Sequence, residues 1–366
     1  MAKVILQNLA KSRRDAESPA LQNLSLECAD RELTVLLGPP DGGKSTLLRV
    51  IAGLDSVDSG DIFLGEQSIR SLPPHKRDLA LVAAELPLLP HLTVAANITL
   101  PLELKRASKD IVARRLKEAS EHLGLSALLE RKPPALSETD RVRVALARAL
   151  AQQPKAILLD DPLSALDPAA RRHLRAELAQ LHQQFRATII FATTDAAEAF
   201  TLGTRVAIVR HGEIEQVGSP VDIHRAPANL FVASLLGMSF LRGTIKAGGT
   251  GAIFKESDGG VVELPLDGRE LCAECLGRDV LLGVRAEDCV VVPADRPNAR
   301  GIYQALVDFI ELREGAALYH AQTGAHALLC RAPNLPDPRE AGRRVRFQID
   351  AARVHFFDPA TTRRLA

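Results

Sequence analysis

Four short, nearly unbroken apolar runs punctuate the first part of the chain: Thr34-Val35-Leu36-Leu37, Ala156-Ile157-Leu158-Leu159, Ala187-Thr188-Ile189-Ile190-Phe191-Ala192 and Arg205-Val206-Ala207-Ile208-Val209. Continuous rather than alternating apolar character marks strands buried on both faces, so these runs predict a parallel sheet covered by helices. Between the first two, over roughly 93–153, the pattern turns helical. Ser108-Lys109-Asp110 opens a helix that runs through Leu123, with Ile111, Leu116, Ala119 and Leu123 as its apolar stripe. Pro133-Pro134 breaks the chain, and Ser137 opens another helix. Beyond about residue 240 short runs (Ala252-Ile253-Phe254, Gly260-Val261-Val262, Val280-Leu281-Leu282, Val290-Val291-Val292, Ala327-Leu328-Leu329, Val345-Arg346-Phe347) alternate with Gly, Asp and Pro. They predict a small all-β, barrel-like unit. The expected organisation is an α/β domain over 1–235, with a helical insert at about 93–153, and a β domain over 240–366.

Composition narrows the possible functions. At 366 residues, with 46% hydrophobic and 25% charged residues, the chain is globular and long enough for two or three domains. Its net charge is +1, with 29 basic and 28 acidic residues up to position 235 and 17 of each after it. That balance argues against a nucleic-acid partner, which calls for a basic excess. Trp is absent and aromatics make up 4%, so the cores are expected to be aliphatic. The longest stretch free of Asp, Glu, Lys and Arg runs over 86–102 and contains Pro87, Pro90 and Pro101, which excludes a helical membrane span there. The N-terminus lacks the apolar run of a secretory signal, and a cytosolic location is expected. The odd count of five cysteines predicts free thiols. Cys272 and Cys275 form a C-x-x-C pair with no second pair to complete a zinc ligand set.

The candidate chemistry lies just after the first strand. Gly38-Pro39-Pro40-Asp41-Gly42-Gly43-Lys44-Ser45-Thr46 fits the pattern G-x-x-x-x-G-K-[ST] between a strand and a helix, the P-loop arrangement. Glycines let backbone N–H groups curl around a β-phosphate, and the helix N-terminus adds positive potential. Lys44 would reach the β- and γ-phosphates, and Ser45 would offer its hydroxyl to Mg2+. The second buried strand ends in Asp160, placed to hold the same Mg2+ through water. ATP and Mg2+ are the expected ligands.

Further segments fall in a recognisable order. Leu136-Ser137 precedes Arg141-Val142-Arg143-Val144-Ala145-Leu146-Ala147-Arg148-Ala149, and Asp160-Asp161-Pro162-Leu163-Ser164-Ala165-Leu166-Asp167 follows. This order resembles the nucleotide-binding subunit of ABC transporters. Leu72-Pro73-Pro74-His75-Lys76-Arg77-Asp78, Pro90-His91-Leu92-Thr93-Val94, Gly218-Ser219-Pro220 and Phe231-Val232-Ala233 resemble its maltose-type sugar-import branch. Gly283-Val284-Arg285-Ala286-Glu287 is similar to a segment of that branch's C-terminal OB-like regulatory domain. The resemblance covers essentially the whole chain. It implies an ATP-binding subunit on the inner face of the cell membrane, importing a carbohydrate or related small polar solute. The implied partners are integral membrane permease subunits docked on the helical insert, a second ATPase subunit (itself or an intact paralogue) and, indirectly, an external solute-binding protein.

Several positions depart from the pattern that this family implies. The signature LSGGQ is replaced by Leu136-Ser137-Glu138-Thr139-Asp140, which reads as a capping box: Ser137 at the N-cap and Asp140 three residues on, acidic where a γ-phosphate would arrive. The catalytic Glu falls on Asp161 and the switch His on Thr194. The loop Gln falls on Ala84 beside Glu85, and the adenine-stacking aromatic falls near Arg13. Asp161 can still polarise water from a shorter reach, Thr194 cannot replace an imidazole, and Arg13 can lay its guanidinium on adenine or stand solvated. The resulting expectation is Mg-ATP binding coupled to slow hydrolysis. The alternative is a non-hydrolysing regulatory or structural half of a mixed ATPase pair.

Overall fold

The computed structural model describes residues 2–13, 18–83, 88–185, 187–247, 251–267, 275–293, 301–313, 316–332 and 340–365. It divides into two compact units, Met1–Arg225 and Ala226–Ala366.

In the first unit the elements run β1 (Val4–Lys11), β2 (Leu21–Cys28), β3 (Leu33–Leu37), α1 (Lys44–Ala52), β4 (Ser59–Leu64), β5 (Gln67–Ser68), β6 (Leu79–Ala83), α2 (Val94–Leu104), α3 (Lys109–His122), α4 (Glu138–Ala151), β7 (Ala156–Asp160), α5 (Pro168–Phe185), β8 (Ile189–Thr193), α6 (Ala196–Leu202), β9 (Arg205–Arg210), β10 (Glu213–Gly218) and α7 (Pro220–Arg225). The main sheet has the order β10-β9-β3-β8-β7-β6. From β9 to β6 neighbouring strands are parallel, and β10 closes the edge antiparallel. All four runs singled out in the sequence are therefore adjacent strands of one sheet. Every residue of β3 and β8 is buried.

An antiparallel sheet of order β2-β1-β4-β5 lies over α1. One core joins Leu6, Leu24 and Ile62 of this sheet, Leu47, Leu48, Val50 and Ile51 of α1, and Leu36, Leu158 and Ile190 of the main sheet. Burying side chains of this size stabilises by roughly 1.5–3 kcal/mol each, which fixes α1 against the strand ends. Its C-terminus is closed by Arg77, only 5% exposed. The guanidinium donates to the carbonyls of Val50 at 2.7 Å and Ile51 at 2.9 Å, satisfying groups the helix cannot pair itself. The helical insert comprises α2, α3 and α4, with Thr93, Ser108 and Ser137 as N-caps. Ile111 departs from the expected stripe: it is exposed, whereas Ala119 and Leu123 are buried.

The second unit contains α8 (Leu230–Leu235), β11 (Ser239–Ala247), β12 (Ala252–Glu256), β13 (Glu263–Pro265), β14 (Asp279–Val284), β15 (Cys289–Val292), β16 (Ile302–Arg313), β17 (Ala316–Thr323), β18 (His326–Ala332), β19 (Arg344–Ile349) and β20 (His355–Phe357). Strands β15-β18-β17-β16-β19 close a barrel, and β13-β12-β11-β14-β20 form a sheet beside it. The buried Glu256 carboxylate ties the two: it accepts from the Val262 N–H at 3.0 Å and the Thr323 hydroxyl at 2.9 Å, and faces His326 Nδ1 at 2.7 Å. The division at 225 lies ahead of the sequence boundary of 235–240 because the chain before α8 pairs with the C-terminal segment. Leu230 N–H donates to Thr362 at 2.9 Å, and Arg364 N–H donates to Ala228 at 3.0 Å.

Two sequence expectations are corrected here. The run at 260–262 is not a strand; it follows a turn at 258–259 and returns to Glu256 through Val262. Cys28, Cys289 and Cys330 are free, but Cys275 is disulfide-bonded. An odd count is no guide to pairing, which depends on the approach of two sulfurs in the fold.

Candidate functional site

The phosphate loop leaves the end of β3, in the interior of the parallel sheet, where open α/β sheets hold their ligands. Gly38 is required sterically: a Cβ there would lie 2.0 Å from the Val209 carbonyl oxygen on the adjacent strand β9. Residues 39–42 form a turn in which Gly42 N–H donates to the Pro39 carbonyl at 3.2 Å. Pro40 sits at its second position and Asp41, with φ of 61°, at its third, the arrangement of a type II turn. Gly43 then takes φ of 101° and starts α1 without a side-chain cap. The first-turn N–H groups therefore face a site shaped for an anion.

Lys44 is 7% exposed, and its ammonium donates to the carbonyls of Gly38 at 2.9 Å and Pro39 at 2.7 Å. Burial lowers its pKa, while the charges of Asp161, Asp160 and Asp41 oppose that shift. The Ser45 hydroxyl donates to Asp160 Oδ1 at 2.9 Å, so β7 and α1 bring the two expected metal groups together. A hydroxyl beside a carboxylate at the mouth of a phosphate loop is the hard-oxygen donor set that suits Mg2+.

Asp161 follows directly, with φ of 45°. Its N–H donates to the Ala192 carbonyl at 2.9 Å, and its own carbonyl accepts from the Ser164 hydroxyl at 2.8 Å. Burial and the charge of Asp160 raise its pKa, against the pull of Lys44 and Arg171. The carboxylate is thus more basic than an ordinary aspartate, which suits a group that accepts a proton from water. Thr194 lies at the end of β8 and is exposed.

Behind these residues is a network the sequence reading missed. Glu198 is 1% exposed and accepts the Thr193 hydroxyl at 2.6 Å. Asp195 caps α6 through the N–H groups of Ala197 at 2.7 Å and Glu198 at 3.3 Å. Arg171 lies 3.7 Å from Asp195 and 3.9 Å from Glu198. The spacing Asp195-x-x-Glu198 was a visible helix-start signal, but the burial of Glu198 was not. Burial raises the Glu198 pKa above the ordinary carboxylate range. A raised folded pKa contributes stability that is present below the unfolded value and lost as pH rises through the folded one. Glu198→Gln keeps an acceptor for Thr193 and removes that loss. It is expected to raise Tm by about 2–4 °C at neutral pH and by less near pH 4, as read by thermal unfolding across pH.

The signature segment starts α4. Ser137 Oγ accepts from Asp140 N–H at 3.1 Å, as a capping box requires. The other half of the box is different. The Asp140 carboxylate accepts the Ser137 hydroxyl at 2.7 Å and pairs with Arg143 at 3.4 Å, a guanidinium held more tightly by Glu177 at 2.6 Å. Glu138 pairs with Arg141. Thr139 occupies the first turn between the two acids. These ties bind Ser137, Glu138 and Asp140 within the insert and toward α5, and not to the phosphate loop of the same chain. Arg13 is exposed, and its guanidinium donates to the Asp41 carbonyl at 3.5 Å, beside the loop. Ala84 and Glu85 lie outside the described residues.

A family model described as ABC transporter matches residues 21–164. The sn-glycerol-3-phosphate import ATP-binding protein UgpC 2 of Agrobacterium fabrum is 38% identical over 370 residues, spanning 100% of this chain and 95% of its own. The UgpC protein of Shigella boydii serotype 4 is 37% identical over 368 residues, spanning 100% of both. Among solved structures, the dimeric post-hydrolysis ATP-binding cassette MJ0796, bound to ADP and Pi, superposes with a TM-score of 0.54 at 30% identity. It covers 59% of this chain and 98% of its own. These relatives give no support to the non-hydrolysing alternative. With a phosphate loop, a paired Ser45 and Asp160, and end-to-end likeness to import ATP-binding proteins, the chain belongs to the ATP-binding subunits of ABC importers.

Proposed function

We propose that this chain powers an importer for a small polar solute from the inner face of the cell membrane, with sn-glycerol-3-phosphate, the solute named for its relatives, as the first candidate. Residues 38–46 and Lys44 hold the phosphates, Ser45 and Asp160 hold Mg2+, Arg13 lies against the adenine, and Asp161 orients the attacking water. Two ATPase subunits, both this chain or this chain with an intact paralogue, enclose nucleotide between them. Insert helices α2–α4 dock on integral membrane permease subunits, which an external solute-binding protein feeds. Residues up to 225 carry the nucleotide-binding domain, and 226–366 carry an OB-like regulatory domain. Among the described residues no helix is long and apolar enough to cross a membrane, which supports a peripheral subunit. Hydrolysis is slow, because Asp161 reaches less far than a glutamate and Thr194 stands where the family's switch His falls.

The observation that carries this reading is the Ser45–Asp160 pair beneath an uncapped α1, in a chain alignable from end to end with import subunits. The test is uptake of sn-glycerol-3-phosphate and of maltose into vesicles holding this chain with the permease pair and binding protein of an importer for each solute. ATP-dependent uptake of either solute, lost with Lys44→Ala, is expected. Failure of the chain to associate with either permease pair would overturn the reading.

A further inference from the structure

Two free thiols face each other across the narrowest seam of the C-terminal barrel. Cys289 opens β15 and Cys330 lies on β18, both with no exposed surface, in the core shared by the barrel and the sheet beside it. The two strands run parallel, and among the described residues the pairing between them is Val290 opposite Arg331 alone. On its other side β15 is held by a ladder to β19, from Cys289 opposite Ile349 to Val292 opposite Arg346, and β18 is held by a ladder to β17. The register that sets Val290 opposite Arg331 also sets Cys289 opposite Cys330. Neighbouring strands lie about 4.8 Å apart, inside the roughly 4.4–6.8 Å between Cα atoms that a disulfide spans. The sulfurs meet at 2.8 Å as thiols, one S–H donating to the other. A single buried cysteine would be ordinary core packing; a pair in register across a seam, with sulfur against sulfur, is poised for a bond.

We propose that Cys289 and Cys330 are a redox-controlled staple of the barrel: hydrogen peroxide oxidises the pair to a disulfide that locks β15 to β18. In the first step the sulfur of one thiolate attacks a peroxide oxygen and the O–O bond breaks. The hydroxide released takes up the thiol proton as water, leaving a sulfenic acid. In the second step the other sulfur gives up its proton and attacks the sulfenic sulfur. The S–O bond breaks, and the departing hydroxide takes that proton as a second water. Two thiols thus lose two electrons, and one peroxide is reduced to two waters. Burial, and then the neighbouring Cys330, push the Cys289 thiol well above its ordinary pKa. The closed seam therefore keeps the pair reduced, and reaction waits on local opening of β15. The cross-link joins positions 41 residues apart and closes a loop that contains β16 and β17. Closing a loop of that length restricts the unfolded chain and so stabilises the folded one. The staple stands apart from the nucleotide site and does not depend on ATP binding.

The test is titration of the full natural chain with hydrogen peroxide to excess. Remaining thiols are then blocked by alkylation, and the protein is digested without reductant and mapped by mass spectrometry, beside thermal unfolding of treated and untreated samples. The expected product is a peptide containing Cys289 joined to one containing Cys330, two hydrogens lighter than the two thiol peptides together. Unfolding of the C-terminal unit is expected to rise by about 10 °C. Cys289→Ala should lose both the link and the rise; where that variant fails to fold, the peptide map of the natural protein decides. Sulfinic or sulfonic acid at either position, a link from either to another cysteine, or two unchanged thiols in excess peroxide would overturn the proposal. A cross-link that leaves the unfolding temperature where it was would overturn it too.

Discussion

Lys44→Ala is expected to weaken Mg-ATP binding by about 100-fold. The ammonium is buried and at present donates to the Gly38 and Pro39 carbonyls, bonds it would exchange for phosphate oxygens when nucleotide arrives. A hydrogen bond to a charged group contributes roughly 1.5–3 kcal/mol. Here the loss is compounded, because the negative charges of Asp161, Asp160 and Asp41 act on this loop and would be left with no buried cation among them. Lys44→Arg is not expected to rescue binding: the broader planar guanidinium does not fit the space between two loop carbonyls that a compact ammonium fills. Thermal unfolding separates loss of the site from loss of the fold. Saturating Mg-ATP at about 100 times its Kd stabilises the natural protein by about 2.7 kcal/mol. That rise should vanish in Lys44→Ala, whose nucleotide-free Tm stays close to that of the natural protein.

The second large effect is expected from restoring the missing chemistry. Asp161→Glu, Thr194→His and the triple change Glu138→Gly, Thr139→Gly and Asp140→Gln are each expected to raise phosphate release by less than about threefold alone, and by about 100-fold together. The backbone of Asp161 cannot move to make up for its short side chain. It is pinned by Ala192 on one side and Ser164 on the other, at a φ of 45° that Asp tolerates better than Glu. The neighbouring Thr193 hydroxyl cannot stand in for an imidazole either, since Glu198 and the Asp195 N–H already occupy it. On the signature helix the Ser137–Asp140 bonds close the first turn against a phosphate, and only glycines would reopen it. Groups that act as a unit give little until all are present. Phosphate release from each variant and from the combination checks this; a full gain from any one change would show that the others do not matter.

The parts of the molecule legible from its sequence are those fixed by short-range constraints. β3, β7, β8 and β9 are buried on both faces, so no polar alternation obscures them. The phosphate loop is a local turn whose glycines are sterically dictated. The N-terminal antiparallel sheet was missed because its alternation breaks where Asn8 and Asn23 take positive φ and the register of β1 on β2 shifts. The run at 260–262 looked like a strand because Val262 is buried beside Glu256 as a strand residue would be, but Val261 is 45% exposed and the segment is irregular. Arg77 and Glu198 gave no sign of burial, since a charged residue is buried only when distant carbonyls or hydroxyls come to meet it.

The central claim is that this chain still grips Mg-ATP but breaks it slowly. Calorimetric titration of Mg-ATP into the purified chain, with phosphate release followed on the same sample, tests it most directly. The account predicts saturable binding with turnover below about 0.01 s⁻¹, about 100-fold under the roughly 1 s⁻¹ at the lower end of ordinary enzymes. Absence of saturable binding, or release at the ordinary rate, would contradict it.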